Sequence, residues 1–268
     1  MGDRLRPGGR TWRAENRGRL AAERTEHRRG DDVVLAWHWR GGHERTIVLV
    51  HGIGMGQQYF GLLRAELAKD HDVVAIDLPG FGESPEPAQR ATMPECADHV
   101  AAVLRDLGIE RVIAVGHSMG TQVVAELAVR HPEVVERLVL IGPTVDARHR
   151  SKRSQAARLL LDLVNDPPVV VAVGLRMYAQ AGPRWFFTQF DAMLDHRLED
   201  VAPRIACPTL VVRGSGDLVS PRRWARHLTD RIPDATFREA EGKGHEAMIT
   251  GAEPVARMLS EFVQRADA

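Results

Sequence analysis

RVIAVGHSMGTQVVAEL, residues 111–127, changes its period half-way along. Val112–Val115 is a continuous apolar run rich in β-branched residues, the pattern of a strand buried on both faces. Beyond Gly120 the apolar residues Val123, Val124, Leu127 and Ala128 fall at helical spacing. A strand that feeds directly into a helix is half of a strand–helix–strand unit, which pairs its strands in parallel. At the junction stands Ser118, with Gly116 and Gly120 two residues away on either side.

The same rhythm extends outward in both directions. Before this unit, LAAERTEHRR, DVVLAWHW and TIVLVHG read as three strands joined by tight glycine-containing turns at Gly30-Asp31 and Gly41-Gly42. A helical stretch over Gln57–Lys69 and a strand DVVAID at 72–77 follow, then the breaker-rich LPGFGESPEP. After it, RLVLIG at 137–142, TLVVRG at 209–214 and ATFREA at 235–240 read as further strands. Val255, Met258, Leu259, Phe262 and Val263 share one face of a last helix, with Pro254 in its first turn. The fold class is therefore α/β, a mostly parallel sheet covered by helices on both faces.

Residues 19–145 and 201–268 form the expected core. Residues 146–200, far longer than an ordinary crossover and rich in large apolar side chains, read as a helical cap inserted into it. Residues 1–18 are arginine-rich, lack the apolar stretch of a signal peptide and read as a loose leader.

Lys+Arg and Asp+Glu both total 36, so no net field draws the chain to nucleic acid or to anionic lipid. No stretch is apolar over the length a membrane span needs. Cys96 and Cys207 fit neither a disulfide framework nor a metal site and read as reduced thiols, which with the leader makes the cytoplasm the default location. No metal and no cofactor is expected: the GIGMG turn lacks the lysine of a P-loop. The oligomeric state stays open.

Ligands of a parallel α/β sheet gather at the carboxyl ends of its strands, where Ser118 lies. A serine hydroxyl is a poor nucleophile unless a base takes its proton and a third group orients that base. Asp217, in a loop just past TLVVRG, and His245, in the loop GKGHE before the last helix, arise at the same edge. Ser220 and Pro221 read as cap and first residue of the helix after Asp217. Asp146, after the strand 137–142, competes for the acid's place. His117 and His51 read as structural, as do His38, His99 and His131, and Ser84 sits in a turn without a comparable histidine.

With HGIG at 51–54, DLPGFGES at 77–84, GHSMG at 116–120, CPTLVVRGSGD at 207–217 and GKGHE at 242–246, the sequence resembles the α/β-hydrolase superfamily, in its capped esterase-like branch. The resemblance implies Ser118 as nucleophile, His245 as general base and Asp217 as its carboxylate, with the N–H groups of Ile53 and Met119 as oxyanion donors. It implies hydrolysis of a carboxylic ester, lactone or thioester of a hydrophobic small molecule through an acyl-enzyme. Two other readings are a carbon–carbon hydrolase of diketone-type substrates, which Glu246 after His245 disfavours, and a non-catalytic receptor on the same fold. Gly52 gives a ligand room to approach, and Trp185, Phe186 and Phe190 are the candidates for apolar contact with it. The basic run DARHRSKR, 146–153, reads as a solvated hinge rather than a trap for an anionic substrate.

Overall fold

A computed structural model describes residues 21–165 and 168–265. The leader expected over 1–18 lies outside the described residues. Eight strands form one sheet: β1 Glu23–Arg29, β2 Asp32–Trp39, β3 Thr46–Val50, β4 Asp72–Asp77, β5 Val112–His117, β6 Val135–Ile141, β7 Thr209–Gly214 and β8 Ala235–Ala240. Their order across the sheet is β1-β2-β4-β3-β5-β6-β7-β8. Both pairings of β2 are antiparallel, and every pairing from β4 to β8 is parallel.

One sequence expectation changes here. Gly30-Asp31 does close a β1–β2 hairpin, with Arg29 opposite Asp32. Gly41-Gly42 does not close a second one, because β4 lies between β2 and β3 and pairs with both. Turn residues mark where a chain bends, but burial decides which strand it rejoins: β4 is apolar on both faces and takes a central place.

Strand residues alternate between two cores. Val48, Val50, Ala114, Leu138 and Val211 face one side, covered by α2 Met93–Asp106, α3 Met119–Arg130 and α8 Arg222–Arg231. Ile47, Leu49, Ile113, Val139 and Val212 face the other, covered by α1 Gly61–Leu67, α9 Ala247–Thr250 and α10 Ala252–Arg265. Thr92 opens α2 with a capping box, its side chain receiving the Glu95 N–H while Glu95 receives the Thr92 N–H. The helix expected over 57–69 is a 3₁₀ turn, Gln57–Phe60, followed by α1.

Between β6 and β7 the chain is helical, with α4 Lys152–Asn165, α5 Pro168–Ala181, α6 Pro183–Asp195 and the short α7 Leu198–Val201. Polar contacts fasten α6 to the core: Trp185 Nε1–H donates to the Pro79 carbonyl at 3.2 Å and Gln122 donates to the Met193 carbonyl at 3.0 Å. His196, just past α6, meets Glu126 of α3 at 2.8 Å. Arg150 reaches the Leu194 and His196 carbonyls at the same helix end and takes both carboxylate oxygens of Glu199. The Arg150 charge is thus spent within the insertion, on Glu199 and on the end of α6. Among the described residues no helix is long and apolar enough to cross a membrane.

Candidate active site

The junction after β5 is a strained turn. Ser118 has φ 52° and ψ −119°, and it is the one described non-glycine residue with positive φ. Such a backbone costs roughly 1–3 kcal/mol and persists only where its surroundings hold it. Here the Ser118 N–H donates to the Ile141 carbonyl at 3.0 Å, tying the turn to the end of β6. Thr121 adds a hydroxyl bond to the Ser118 carbonyl at 2.6 Å. The two glycines that the sequence marked are obligatory: a Cβ at Gly116 would lie 2.3 Å from the Gly120 carbonyl oxygen, and one at Gly120 would lie 2.2 Å from that of Val50. The nearest atoms in both cases are backbone, which cannot give way.

Two further loops close on this edge. Asp217 and His245 are both 2% exposed, and His245 Nδ1 lies 2.9 Å from Asp217 Oδ2. A carboxylate only accepts, so Nδ1 carries the proton and the lone pair of this imidazole is on Nε2. Asp217 Oδ1 accepts from the Val219 and Ser220 N–H groups at 2.8 and 2.7 Å. Ser220 therefore serves the acid through its backbone; the helix starts at Arg222 with Pro221, which has no side-chain oxygen, at its N-cap, so the cap and the first helical residue expected at Ser220 and Pro221 both lie one position too early.

Hydrogen bonds from backbone N–H groups zip the two loops together. Gly216 N–H donates to the Lys243 carbonyl, Ser215 N–H to that of Ala240, and Gly242 N–H to Ser215 Oγ. Gly214 lets the strands approach, since a Cβ there would stand 2.1 Å from the Gly244 oxygen. Arg213, 4% exposed at the end of β7, threads the acid loop, donating to the carbonyls of Asp217 and Ser220 at 2.9 and 2.8 Å and pairing with Glu239. Sequence reasoning missed this role, although a lone arginine inside TLVVRG was a visible signal. It also missed Gly142, whose φ of +55° puts its open face against both partners: a Cβ would lie 3.0 Å from His245 Nδ1 and 3.2 Å from Asp217 Oδ2.

The competing residues are used elsewhere. Asp146 is fully buried but pairs with Arg223 and receives the Arg148 N–H at 3.1 Å. His117 packs its ring 4.7 Å from that of His245 and bonds to the His245 carbonyl at 3.2 Å. Burial, reinforced by the neighbouring His245, holds it neutral, well below the usual histidine range. Ser84 donates to the Asp77 carbonyl and receives the Leu35 N–H.

His51 fixes the turn beside the serine. The Leu78 N–H donates to its Nε2 at 3.0 Å, so Nδ1 carries the proton and donates to the Gly52 carbonyl at 2.7 Å. Burial pushes this histidine down to about 4, which keeps that tautomer at neutral pH. In a trans peptide C=O and N–H point in opposite directions, so anchoring the Gly52 oxygen aims the Ile53 N–H away from His51. Gly52 itself abuts the serine: a Cβ there would be 3.1 Å from Ser118 Cβ. Met119 opens α3, and its N–H is one of the four that no intrahelical carbonyl can take. Asp77 joins the neighbouring loops, accepting from Gln57 N–H at 2.5 Å and Glu83 N–H at 2.7 Å; desolvation pushes its carboxyl up to about 6.

Known proteins share this fold. A family model described as alpha/beta hydrolase fold matches residues 45–168, and one described as TAP-like protein matches 185–268. The 2-hydroxymuconate semialdehyde hydrolase of Pseudomonas sp. (strain CF600) is 32% identical over 252 residues, 83% of this chain and 88% of its own. The chain belongs to the α/β-hydrolase superfamily. RutD of Pseudomonas syringae pv. syringae (strain B728a), named as a carbamate hydrolase, is 32% identical over 242 residues, 81% of this chain and 93% of its own. The enol-lactonase from Burkholderia xenovorans LB400 has the same fold, with a TM-score of 0.78 at 22% identity over 90% of this chain and all of that one. The chain is thus a hydrolase of this superfamily.

Within this α/β-hydrolase the aromatic residues of the insertion divide. Trp185 and Phe190 are 3% and 4% exposed and close the contact between α6 and the core, where Trp185 covers Gly80 and meets Phe81. Phe186 is half-buried and stands 3.2 Å from where a Cβ of Gly54 would be. Ser118 is itself only 5% exposed. A cavity of about 460 Å³ lies elsewhere, between α8, β8 and α10, where arginines alternate with glutamates.

Proposed function

We propose that the protein is a serine hydrolase that transfers the acyl group of a hydrophobic ester, lactone or thioester to water, with Ser118, His245 and Asp217 as its triad and residues 146–200 as its cap. The observation that carries this reading is the His245–Asp217 pair, buried and in the tautomer that leaves Nε2 as a base, on the same edge as a strained serine. His245 Nε2 takes the Ser118 proton as Oγ attacks the carbonyl carbon. The tetrahedral oxygen settles on the N–H groups of Met119 and Ile53, each worth about 3 kcal/mol in the transition state. The protonated imidazole then gives its proton to the leaving oxygen or sulfur, and water repeats the cycle in reverse to free the acid. A serine suits acyl carbonyl carbon, and the largely apolar aromatic residues of the cap suit a hydrophobic acyl chain. The substrate is the proposed partner; no nucleic acid, membrane or cofactor enters the reaction, and the cytoplasm is the proposed location.

A second reading is hydrolysis of a carbon–carbon bond in a diketone-type substrate by the same three residues, favoured by the likeness to a 2-hydroxymuconate semialdehyde hydrolase. Turnover of graded aryl esters, lactones, a thioester and a ring-cleavage diketone by wild type and Ser118→Ala separates the two. Ester turnover that disappears in Ser118→Ala supports the first reading. Labelling of Ser118 by a fluorophosphonate reports its activation directly; no labelling at neutral pH rejects both readings and leaves a receptor.

A further inference from the structure

Ile53 stands in a turn with little stiffness of its own. Gly54, at φ +73°, and Gly56 follow it, and neither has a Cβ to limit its backbone. The direction of the Ile53 N–H is therefore set by what holds the two ends of the turn. His51 holds the first end through the Gly52 carbonyl, which also accepts the Met55 N–H at 3.2 Å. Asp77 holds the second, because its Oδ1 accepts the N–H of Gln57, the first residue of the 3₁₀ turn that leads into α1.

The acid is well placed for this. It ends β4, which pairs with β3 so that Ile76 lies opposite Val50, and Asp77 thus leaves a central strand level with His51. Its carboxylate is 1% exposed, and two loops are shaped around it. A Cβ at Gly82 would lie 2.0 Å from Oδ2; one at Gly56 would lie 3.0 Å from Oδ1 and 2.8 Å from the Gly82 Cα. Oδ2 accepts the Glu83 N–H in the second of these loops, while the Glu83 carboxylate turns away to Arg24. An apolar side chain here would fill the space without fixing the Gln57 N–H in direction; an acceptor fixes both distance and direction.

From this arrangement we infer that Asp77 is a positioning residue for the reaction: by holding the far end of a glycine-containing turn, it sets where the Ile53 N–H stands. The inference rests on the acyl-transfer reading, in which that N–H receives the tetrahedral oxygen. It concerns the transition state more than the bound ester, so kcat is affected and KM is not.

The test compares wild type with two variants that break the same bond from opposite sides. Asp77→Ala removes the acceptor. Gln57→Pro removes the donor, at the opening of a helical turn and after a residue, Gly56, that is already extended at φ −151° and ψ −179°. Serines labelled by the fluorophosphonate are counted at completion, and kcat on an aryl ester is divided by that count, so a variant that folds only in part is still scored. Loss of a whole oxyanion donor costs about 10²–10³ in kcat, and a displaced one should cost at least about tenfold, with KM within threefold of wild type. Affinity for phenylboronic acid, whose boron takes Ser118 Oγ and leaves a tetrahedral oxygen at the same donors, should weaken by a like factor. Ser84→Ala is the control: it loses bonds to the Asp77 carbonyl and the Leu35 N–H without touching the carboxylate, and should cost stability but keep kcat per labelled serine within twofold. Either bond-breaking variant with unchanged kcat per labelled serine, or with a lower kcat and wild-type affinity for the boronic acid, overturns the inference, as does a Ser84→Ala that falls as far. Failure of the acyl-transfer reading shows separately, as wild type that neither turns over an ester nor takes the fluorophosphonate.

Discussion

Replacing Asp217 by Asn tests the proposed proton path with almost no change of shape. Two backbone donors, Val219 N–H and Ser220 N–H, face Oδ1, while His245 Nδ1 faces Oδ2. The asparagine oxygen must stay opposite the two donors, since an NH₂ there would confront two N–H groups. The NH₂ then falls opposite Nδ1 and donates to it, which forces the proton of neutral His245 onto Nε2. An imidazole in that tautomer has no lone pair for the serine hydroxyl. The corresponding substitution in the serine-protease triad lowers kcat about 10⁴-fold, equivalent to ~5.5 kcal/mol of barrier, and the same order is expected here. The assay is kcat on an aryl ester with the rate of fluorophosphonate labelling, alongside urea unfolding to show that the fold survives. Asp146→Asn, which weakens the pair with Arg223 but touches no proton path, should lose less than tenfold. A folded Asp217→Asn within tenfold of wild type, or an Asp146→Asn that falls as far, refutes the assignment.

His51→Ala should cost stability in a pH-dependent way. The folded histidine sits at about 4 against 6.5 unfolded, so its contribution is present above 6.5 and lost as pH falls through 4. The penalty of the substitution, read from urea unfolding, should be about 3 kcal/mol larger at pH 7 than at pH 4; equal penalties would show that the imidazole is not held neutral. Arg213→Met should lower stability by about 3 kcal/mol, because three loop carbonyls and Glu239 lose their buried donor, and kcat should fall with it as the Asp217 loop loosens; full activity in a folded variant would separate the loop from the chemistry. Arg150→Ala should unfasten α6 and lower the melting temperature while leaving the salt dependence of kcat/KM as in wild type. A changed salt dependence would return Arg150 to the role of attracting an anionic substrate.

The residues that were legible in the sequence are those whose signal is local. Gly116 and Gly120 stand beside Ser118 in the chain, and the clash each avoids involves backbone that any strand-to-helix turn brings close. The alternation of apolar residues along β3, β5 and β7 likewise follows from the strand's own period, so two covered faces could be expected before any coordinates. Sheet order was not legible in that way. Whether β3 rejoins β2 or lets β4 in between depends on burial summed over the whole sheet, and the Gly41-Gly42 turn is compatible with both.

What the sequence left open in the site has the same cause at a finer scale. Asp146 and Asp217 each follow a strand on the same edge, and the sequence favours Asp217 through its local motif, CPTLVVRGSGD, without showing what either acid meets. The choice is made at a distance, by Arg223 across 77 residues for one and by His245 across 28 for the other. A carboxylate already neutralised by a guanidinium has little left for an imidazole, so the arginine removes the rival as effectively as the histidine selects its partner. Arg213 extends that logic, because it binds the Asp217 loop through carbonyls and leaves both carboxylate oxygens to other donors. An arginine that took the carboxylate instead would have stabilised the loop equally well and silenced the base. The His245–Asp217 pair is therefore specified as much by which acid each guanidinium declines as by the two loops that bring its members together.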